Sequence, residues 1–137
     1  MEIIKITRVT DDLAQMVALF RVELRSYKGI ISKPNIDAGR QELEEYLAAG
    51  FPVFAAVVNG AYAGYVVCRV DGEVVWVESI FVREEYRRLG VASVLHSKAE
   101  EVAETLGEGW RAVDVCEDAN KATHRLLDVI MEAEDEE

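Results

Sequence analysis

The chain has 137 residues, of which half are apolar and 30% are charged. This length and composition correspond to one globular domain with a core of its own, and they exclude a multidomain or disordered chain. The net charge is -11, and it remains -6 when the five acids of the last six residues are left out. Because phosphate groups are bound through clustered Lys and Arg, this balance argues against a broad nucleic-acid or anionic-membrane surface.

The first third of the chain predicts one strand and two helices. Residues 2–9 have strand composition, and Thr10 is a typical residue for the cap of a following helix. A loop over residues 28–36 leads to a second helix over about 37–49. The first helix is indicated by apolar residues at helical spacing, namely Leu13, Met16, Val17, Phe20 and Leu24.

An uncharged stretch, residues 46–68, is long enough to suggest a membrane helix. Pro52 and the turn dipeptide Asn59-Gly60 lie inside it, so two strands joined by a tight turn are the better interpretation. The N-terminus lacks the basic and then apolar pattern of a signal peptide. We therefore expect a cytoplasmic protein that does not interact with membranes.

The middle of the chain predicts an antiparallel meander of three strands. The strands cover residues 52–58, 61–70 and 73–82, and the tight turn Asp71-Gly72 joins the last two. The third strand is apolar on both faces, so it should be central and covered on both sides.

A helix over about 90–106, a strand over 110–116 and a last helix from about 119 complete the prediction. The element order is β-α-α-β-β-β-α-β-α. We expect an α/β (α+β) fold with a mixed, mostly antiparallel central sheet and helices on both faces. One domain should span residues 1–131, followed by an acidic tail over 132–137.

The junction between the central strand and the following helix is the best candidate for chemistry. It reads Arg87-Arg88-Leu89-Gly90-Val91-Ala92. A helix N-terminus presents N–H donors and the positive end of the helix dipole. Gly90 permits close approach of a ligand, and the two arginines add further donors. Together these features suit the binding of a phosphate group. An ordinary charged loop is the alternative, since such patterns are common.

The run VESIFVREEYRRLGVASVLHSKAEEVAETLG resembles the central motif of the GNAT (Gcn5-related N-acetyltransferase) superfamily. That family has a strand ending in two apolar residues and Val, a loop, and [QR]-x-x-G-x-[GA] opening a long helix. The element order agrees as well, and the resemblance extends over about residues 2–131. The matching residues are Ile80, Phe81, Val82, Arg87, Gly90 and Ala92.

The resemblance implies an N-acetyltransferase that moves the acetyl group of acetyl-CoA to a primary amine of a small molecule or protein. It implies that residues 87–92, including Arg88, Leu89 and Val91, hold the pyrophosphate, and that the backbone of residues 80–82 binds the pantetheine arm. Asn120 matches a family asparagine that contacts the cofactor, although capping of the last helix is an equal alternative. No metal site is expected.

Glu78 is the candidate catalytic base. It should share a strand face with Trp76, Ile80 and Val82, and a carboxylate on a mostly buried face can accept a proton from the attacking amine near neutral pH. The family often has an acid at this position. Neutralisation by a neighbouring Arg, or a side chain that reaches solvent, is the alternative.

Two features depart from the family pattern. Leu127 stands where the family commonly has a Tyr that protonates the leaving thiolate, and His124 is the nearest substitute. The chain also ends before the usual C-terminal β-hairpin, which should leave the fifth strand with an open edge that a homodimer or strand exchange could cover. These departures keep open a CoA-binding or protein-interaction module with little catalysis, and a structural domain without cofactor.

Overall fold

A computed structural model describes residues 1–114, so the predicted last helix and Asn120, His124 and Leu127 lie outside the described residues. The elements follow the predicted order, with one 3-10 turn, Glu84–Tyr86, in the loop after the central strand. They are β1 (Glu2–Lys5), α1 (Asp11–Tyr27), α2 (Ile36–Ala48), β2 (Val53–Val58), β3 (Ala61–Asp71), β4 (Val74–Val82), α3 (Val91–Leu106) and β5 (Arg111–Asp114).

The five strands form one sheet in the order β1-β2-β3-β4-β5. All neighbouring pairs are antiparallel except β4 and β5, which run parallel because α3 carries the chain back between them. The predicted mixed, mostly antiparallel sheet is thereby confirmed. The uncharged stretch forms β2 and β3, and over residues 1–114 no helix has the length and apolar character needed to cross a membrane.

Local capping explains where the first two helices begin. The Thr10 hydroxyl accepts a hydrogen bond from the backbone N–H of Leu13 at 3.3 Å. The Asn35 side chain accepts one from Ala38 N–H at 3.1 Å, so α2 begins one residue earlier than predicted. Side-chain acceptors of this kind satisfy donors that a helix start leaves unpaired.

The helices cover opposite faces of the sheet. Phe20 of α1 packs edge-on against Phe81 of β4, with ring centroids 6.2 Å apart. Leu95 of α3 lies on the other face beside Gly64, where a Cβ would stand 2.5 Å from the Phe81 carbonyl oxygen and 3.3 Å from a Leu95 methyl. Only glycine therefore allows β3 and β4 to approach this closely at the end of β4.

Strand β4 contains a β-bulge at Glu78. Val67 of β3 is opposite Ser79, and the next residue, Cys68, is opposite Val77, so Glu78 has no partner on β3. The extra residue breaks the alternation of side chains along the strand.

The prediction that Glu78 shares a face with Ile80 and Val82 is therefore wrong, although its shared face with Trp76 is confirmed by their common contact with Arg69. Beyond the bulge, Ser79 and Phe81 face α1, and Ile80 and Val82 face α3. The strict two-residue period assumed from the sequence fails because a bulge has no signal in the apolar pattern.

Candidate active site

The loop after β4 and the start of α3 form a compact, positively charged turn. Arg88 and Gly90 both have left-handed backbone conformations, with φ of 69° and 80°. Gly90 is the N-cap of α3, carries no capping side chain, and no acidic residue lies in the first turn of the helix. Such a helix start favours an anion through its N–H groups and dipole.

The predicted cofactor residues of this loop are arranged around the helix start. Leu89 is exposed, and Val91 and Ala92 are fully buried at the first positions of α3. The small side chain of Ala92 fits this buried position. A non-glycine residue with positive φ, such as Arg88, is sparsely populated and is found preferentially at functional sites.

The Arg87 guanidinium is engaged within the protein. Its Nε donates to the Val82 carbonyl at 3.0 Å, and its Nη2 donates to Glu23 on α1 at 2.7 Å. It also lies 5.7 Å from the ring centre of Phe81. Arg87 therefore braces the end of β4 and α1, a role that the sequence prediction of a phosphate-binding side chain did not include.

Within residues 1–114, the second edge of β4 is paired along only half of its length. Strand β5 pairs with residues Val74 to Val77, and within residues 1–114 no strand pairs with the Glu78–Val82 half on that side. The other edge of this half pairs fully with β3 from Ser79 onward, and Ile80, Phe81 and Val82 are buried. A sheet edge opened in this way offers N–H and C=O groups to an extended ligand.

A cleft of about 260 Å³ lies beside this opening, between α1, α2 and β4. It contains the bulge residues Glu78 and Ser79. Its other lining residues are Phe20, Arg21, Leu24, Arg25, Glu42 and Tyr46. The open strand edge and the cleft meet at the bulge, so a ligand along β4 and a second ligand in the cleft would meet there.

Glu78 is held by an arginine on the neighbouring strand. Its Oε2 accepts from Arg69 Nε at 2.9 Å, and Arg69 also stacks 5.3 Å from the centre of the Trp76 ring. Within the part of the chain described, Oε1 of Glu78 has no hydrogen-bond partner. The carboxylate is therefore oriented by one oxygen while the other remains available in the cleft, and the neighbouring Arg proposed as an alternative is present.

The sequence prediction missed Glu42 and Tyr46, which lie one turn apart on α2 and face Glu78 across the cleft. Burial raises the pKa of Glu42, partly opposed by Arg21, whose Nε lies 3.7 Å from Glu42 Oε1. Burial also raises the pKa of Tyr46, reinforced by the charge of Glu42. Their spacing of four residues places both on one helix face, but no local pattern indicates that this face lines a cleft with β4.

A buried hydrogen bond fixes the other bulge residue. The hydroxyls of Tyr65 and Ser79 are 2.7 Å apart, and both residues are almost completely buried. Burial raises the pKa of Tyr65 well above its usual value, against the effect of the Ser79 hydrogen bond. Tyr65 therefore remains a neutral hydroxyl and supports the bulge from β3.

Asn120, His124 and Leu127 lie outside the described residues, so the roles predicted for them at the site stay predictions. Across residues 1–114, no three His, Cys, Asp or Glu side chains cluster in a way that could hold a metal ion.

The model of the acetyltransferase (GNAT) family matches residues 16–128, which is most of the chain. The chain belongs to the GNAT family. The resemblance seen in the sequence is thereby confirmed, together with its fold. A comparison with curated proteins finds no significant match.

Solved structures agree on the fold. An N-acetyltransferase from Staphylococcus aureus Mu50 aligns with a TM-score of 0.62 at 19% identity, covering 93% of this chain and 83% of that one. A possible acetyltransferase from Clostridium difficile 630 aligns with a TM-score of 0.63 at 19% identity, covering 93% and 88%. The aminoglycoside N-acetyltransferase AAC(6')-Iy, in complex with CoA, aligns with a TM-score of 0.60 at 21% identity, covering 94% and 85%.

Proposed function

We propose that this GNAT protein transfers the acetyl group of acetyl-CoA to a primary amine. The observation that carries the proposal is the half of β4 that β5 leaves unpaired within residues 1–114. This half leads through the loop over residues 83–90 to the N-terminus of α3, and it borders the cleft at Glu78. An extended thioester with a pyrophosphate at one end matches this arrangement. The family membership supports it, as does the CoA bound in AAC(6')-Iy.

In the proposed complex, backbone groups of residues 80–82 bind the pantetheine arm and the turn from Arg88 to Ala92 binds the pyrophosphate. Arg87 contributes indirectly, by bracing Val82 and Glu23. Phe81 pairs with Tyr65 of β3, and Arg87 already occupies the Val82 carbonyl. The backbone groups of Ile80 and the N–H of Val82 are therefore the better partners for the pantetheine. Asn120 remains a proposed cofactor contact.

The reaction requires one proton acceptor before the attack. An ammonium group loses a proton to a base, and the amine nitrogen then attacks the thioester carbonyl carbon. The C–N bond forms, the C–S bond breaks, and CoA leaves as a thiolate that takes a proton from the former amine. A backbone N–H near Phe81 or Val82 would stabilise the developing oxyanion.

Glu78 is the proposed base, because its Oε1 is available in the cleft while Arg69 fixes the other oxygen. Glu42 faces the same space and is a second carboxylate that could relay the proton through water. The neutral hydroxyl of Tyr46 lies beside it.

Isothermal titration with acetyl-CoA, followed by a thiol-release assay across a panel of amines, tests the proposal. We expect binding, and turnover that falls about 10²-fold or more in Glu78→Gln, since a general base contributes about 10²–10⁴-fold. Glu73→Gln is the matched control, because Glu73 is an exposed acid at the turn before β4. Absence of binding at millimolar acetyl-CoA would refute the proposal.

A CoA-binding or protein-interaction module with little catalysis is the second candidate. Leu127, which cannot donate a proton where the family commonly has Tyr, favours it. It predicts CoA binding without acetyl transfer to any amine of the panel. The proposal also includes one domain over residues 1–131, a cytoplasmic location and a homodimer. Measurement of the molecular mass in solution tests the homodimer.

A further inference from the structure

The cleft beside Glu78 carries balanced charges, which constrains the acceptor molecule. Arg21 and Arg25 lie one turn apart on α1, and Glu42 and Glu78 lie across from them on α2 and β4. A site for a polycationic amine would be lined mainly by carboxylates. Since two of the four charged side chains are cations, the cleft suits a ligand that carries a negative group in addition to its amine.

The four charges differ in how far the protein neutralises them. Glu78 forms a hydrogen-bonded ion pair with Arg69 at 2.9 Å. Arg21 and Glu42 approach to 3.7 Å, which is an ion pair without a normal hydrogen bond. Arg25 has only a long contact, 3.5 Å from Nη1 to the Ser32 hydroxyl, and over residues 1–114 no carboxylate lies within 4.0 Å of it.

Among the described residues, Arg25 is therefore the cation of the cleft without a carboxylate partner. A guanidinium binds a carboxylate through two parallel hydrogen bonds, which gives both orientation and affinity. Arg25 lies one helical turn, about 5.4 Å, from Arg21, which approaches Glu42. Because Arg25, Glu42 and Glu78 line one cleft of about 260 Å³, a compact molecule can place its carboxylate on Arg25 and its ammonium on the Glu42 and Glu78 side.

We propose that the acceptor is a small amino acid or a similar zwitterion, whose carboxylate binds Arg25 and whose amine faces Glu78 and Glu42. This inference rests on the proposed acetyl transfer and names its substrate class. The volume of about 260 Å³ lies just below the usual range of about 300–1,000 Å³ for small-molecule sites, so it favours a small acceptor over a bulky one.

The test uses acceptor pairs that differ only in the carboxylate: L-lysine with cadaverine, and L-phenylalanine with phenethylamine. Thiol release from acetyl-CoA gives kcat/KM for each. We expect the carboxylate-bearing member of at least one pair to be preferred about tenfold or more, equivalent to about 1.4 kcal/mol. Titration of the same ligands into the CoA-loaded protein measures the preference without turnover.

Arg25→Gln should abolish this preference by lowering kcat/KM for the amino acid while leaving that for the simple amine nearly unchanged. Arg8→Gln is the matched control, since it removes an exposed arginine outside the cleft and should retain the preference. A purely structural role for Arg25, at the C-terminal turn of α1, would instead lower stability and change both acceptors alike.

The outcomes separate the two proposals. No binding of acetyl-CoA overturns the proposed function, and this inference with it. Acetyl-CoA binding with equal use, or equal binding, of both members of each pair overturns the inference alone. A preference that survives in Arg25→Gln also overturns it, because the carboxylate would then be recognised elsewhere.

Discussion

The hydrogen bond between Tyr65 and Ser79 offers the sharpest test of how the sheet supports the site. The hydroxyl oxygens of Tyr65 and Ser79 are 2.7 Å apart, and the two residues are only 1% and 2% exposed. Removing one hydroxyl leaves the other buried without its partner. We therefore expect Tyr65→Phe and Ser79→Ala each to lower the free energy of unfolding by about 1–3 kcal/mol.

The double variant should lose less than the sum of the two single losses, because neither hydroxyl is then left unsatisfied. A coupling of about 0.5–3 kcal/mol is expected for residues in direct contact. Ser79→Ala removes a single oxygen atom, so a cavity contributes little to these values. The geometry thus predicts strongly non-additive losses.

Urea unfolding of the original protein and the three variants measures the coupling. Thermal unfolding is a second readout, in which each kcal/mol should shift Tm by roughly 2–8 °C. Tyr27→Phe is the control, since Tyr27 is 43% exposed and its hydroxyl should contribute little. Losses that add to within about 0.3–0.5 kcal/mol would refute a functional contact between the two hydroxyls.

Three further predictions concern the pKa of Glu42, the brace on Arg87 and the buried thiol. Burial raises the pKa of Glu42 in the folded chain. The protonated Glu42 carboxyl therefore contributes stability below its unfolded pKa of about 4.3, and this contribution is lost as the pH rises through its pKa in the folded chain. Glu42→Gln should therefore raise Tm more at pH 7 than at pH 4, and the exposed Glu44→Gln should not. Glu23→Gln should raise KM for acetyl-CoA by about 2–10-fold, because Arg87 loses a charged partner. Burial raises the pKa of Cys68 to about 12. In a Cys116→Ser variant, which lacks the other cysteine of the chain, no thiol should therefore react with a disulfide reagent before unfolding.

Each of these three predictions would be contradicted by a specific result. A pH-independent effect of Glu42→Gln would show that its carboxyl is not held in a desolvated site. An unchanged KM for acetyl-CoA in Glu23→Gln would separate the Arg87 brace from cofactor binding. Rapid modification of Cys68 in the folded protein would contradict its position in the core.

Much of the fold follows from local sequence signals. Asn59-Gly60 and Asp71-Gly72 support the turns of the meander, and positive φ at Gly60 and Gly72 explains why glycine stands there. Thr10 caps α1 as expected, and Gly90 allows the left-handed start of α3. These features depend on contacts within a few residues, so they can be read along the chain.

The candidate site was only partly predictable. The motif from Arg87 to Ala92 located the turn at the helix start, and Glu78 was correctly placed beside Trp76. The bulge that turns Ile80 away from Glu78 could not be read, because one extra residue in β4 depends on its register with β3.

The sequence by itself determined the element order, the family motif and the acid on the central strand, since turn residues, apolar period and motif spacing are local properties. Only the tertiary structure decided the partners. Arg87 meets Glu23 from 64 residues away, and Glu42 faces Glu78 because α2 packs against α1, which lies on β4. Such pairs depend on how the helices pack on the sheet and on each other, and this packing cannot be inferred from the local sequence pattern.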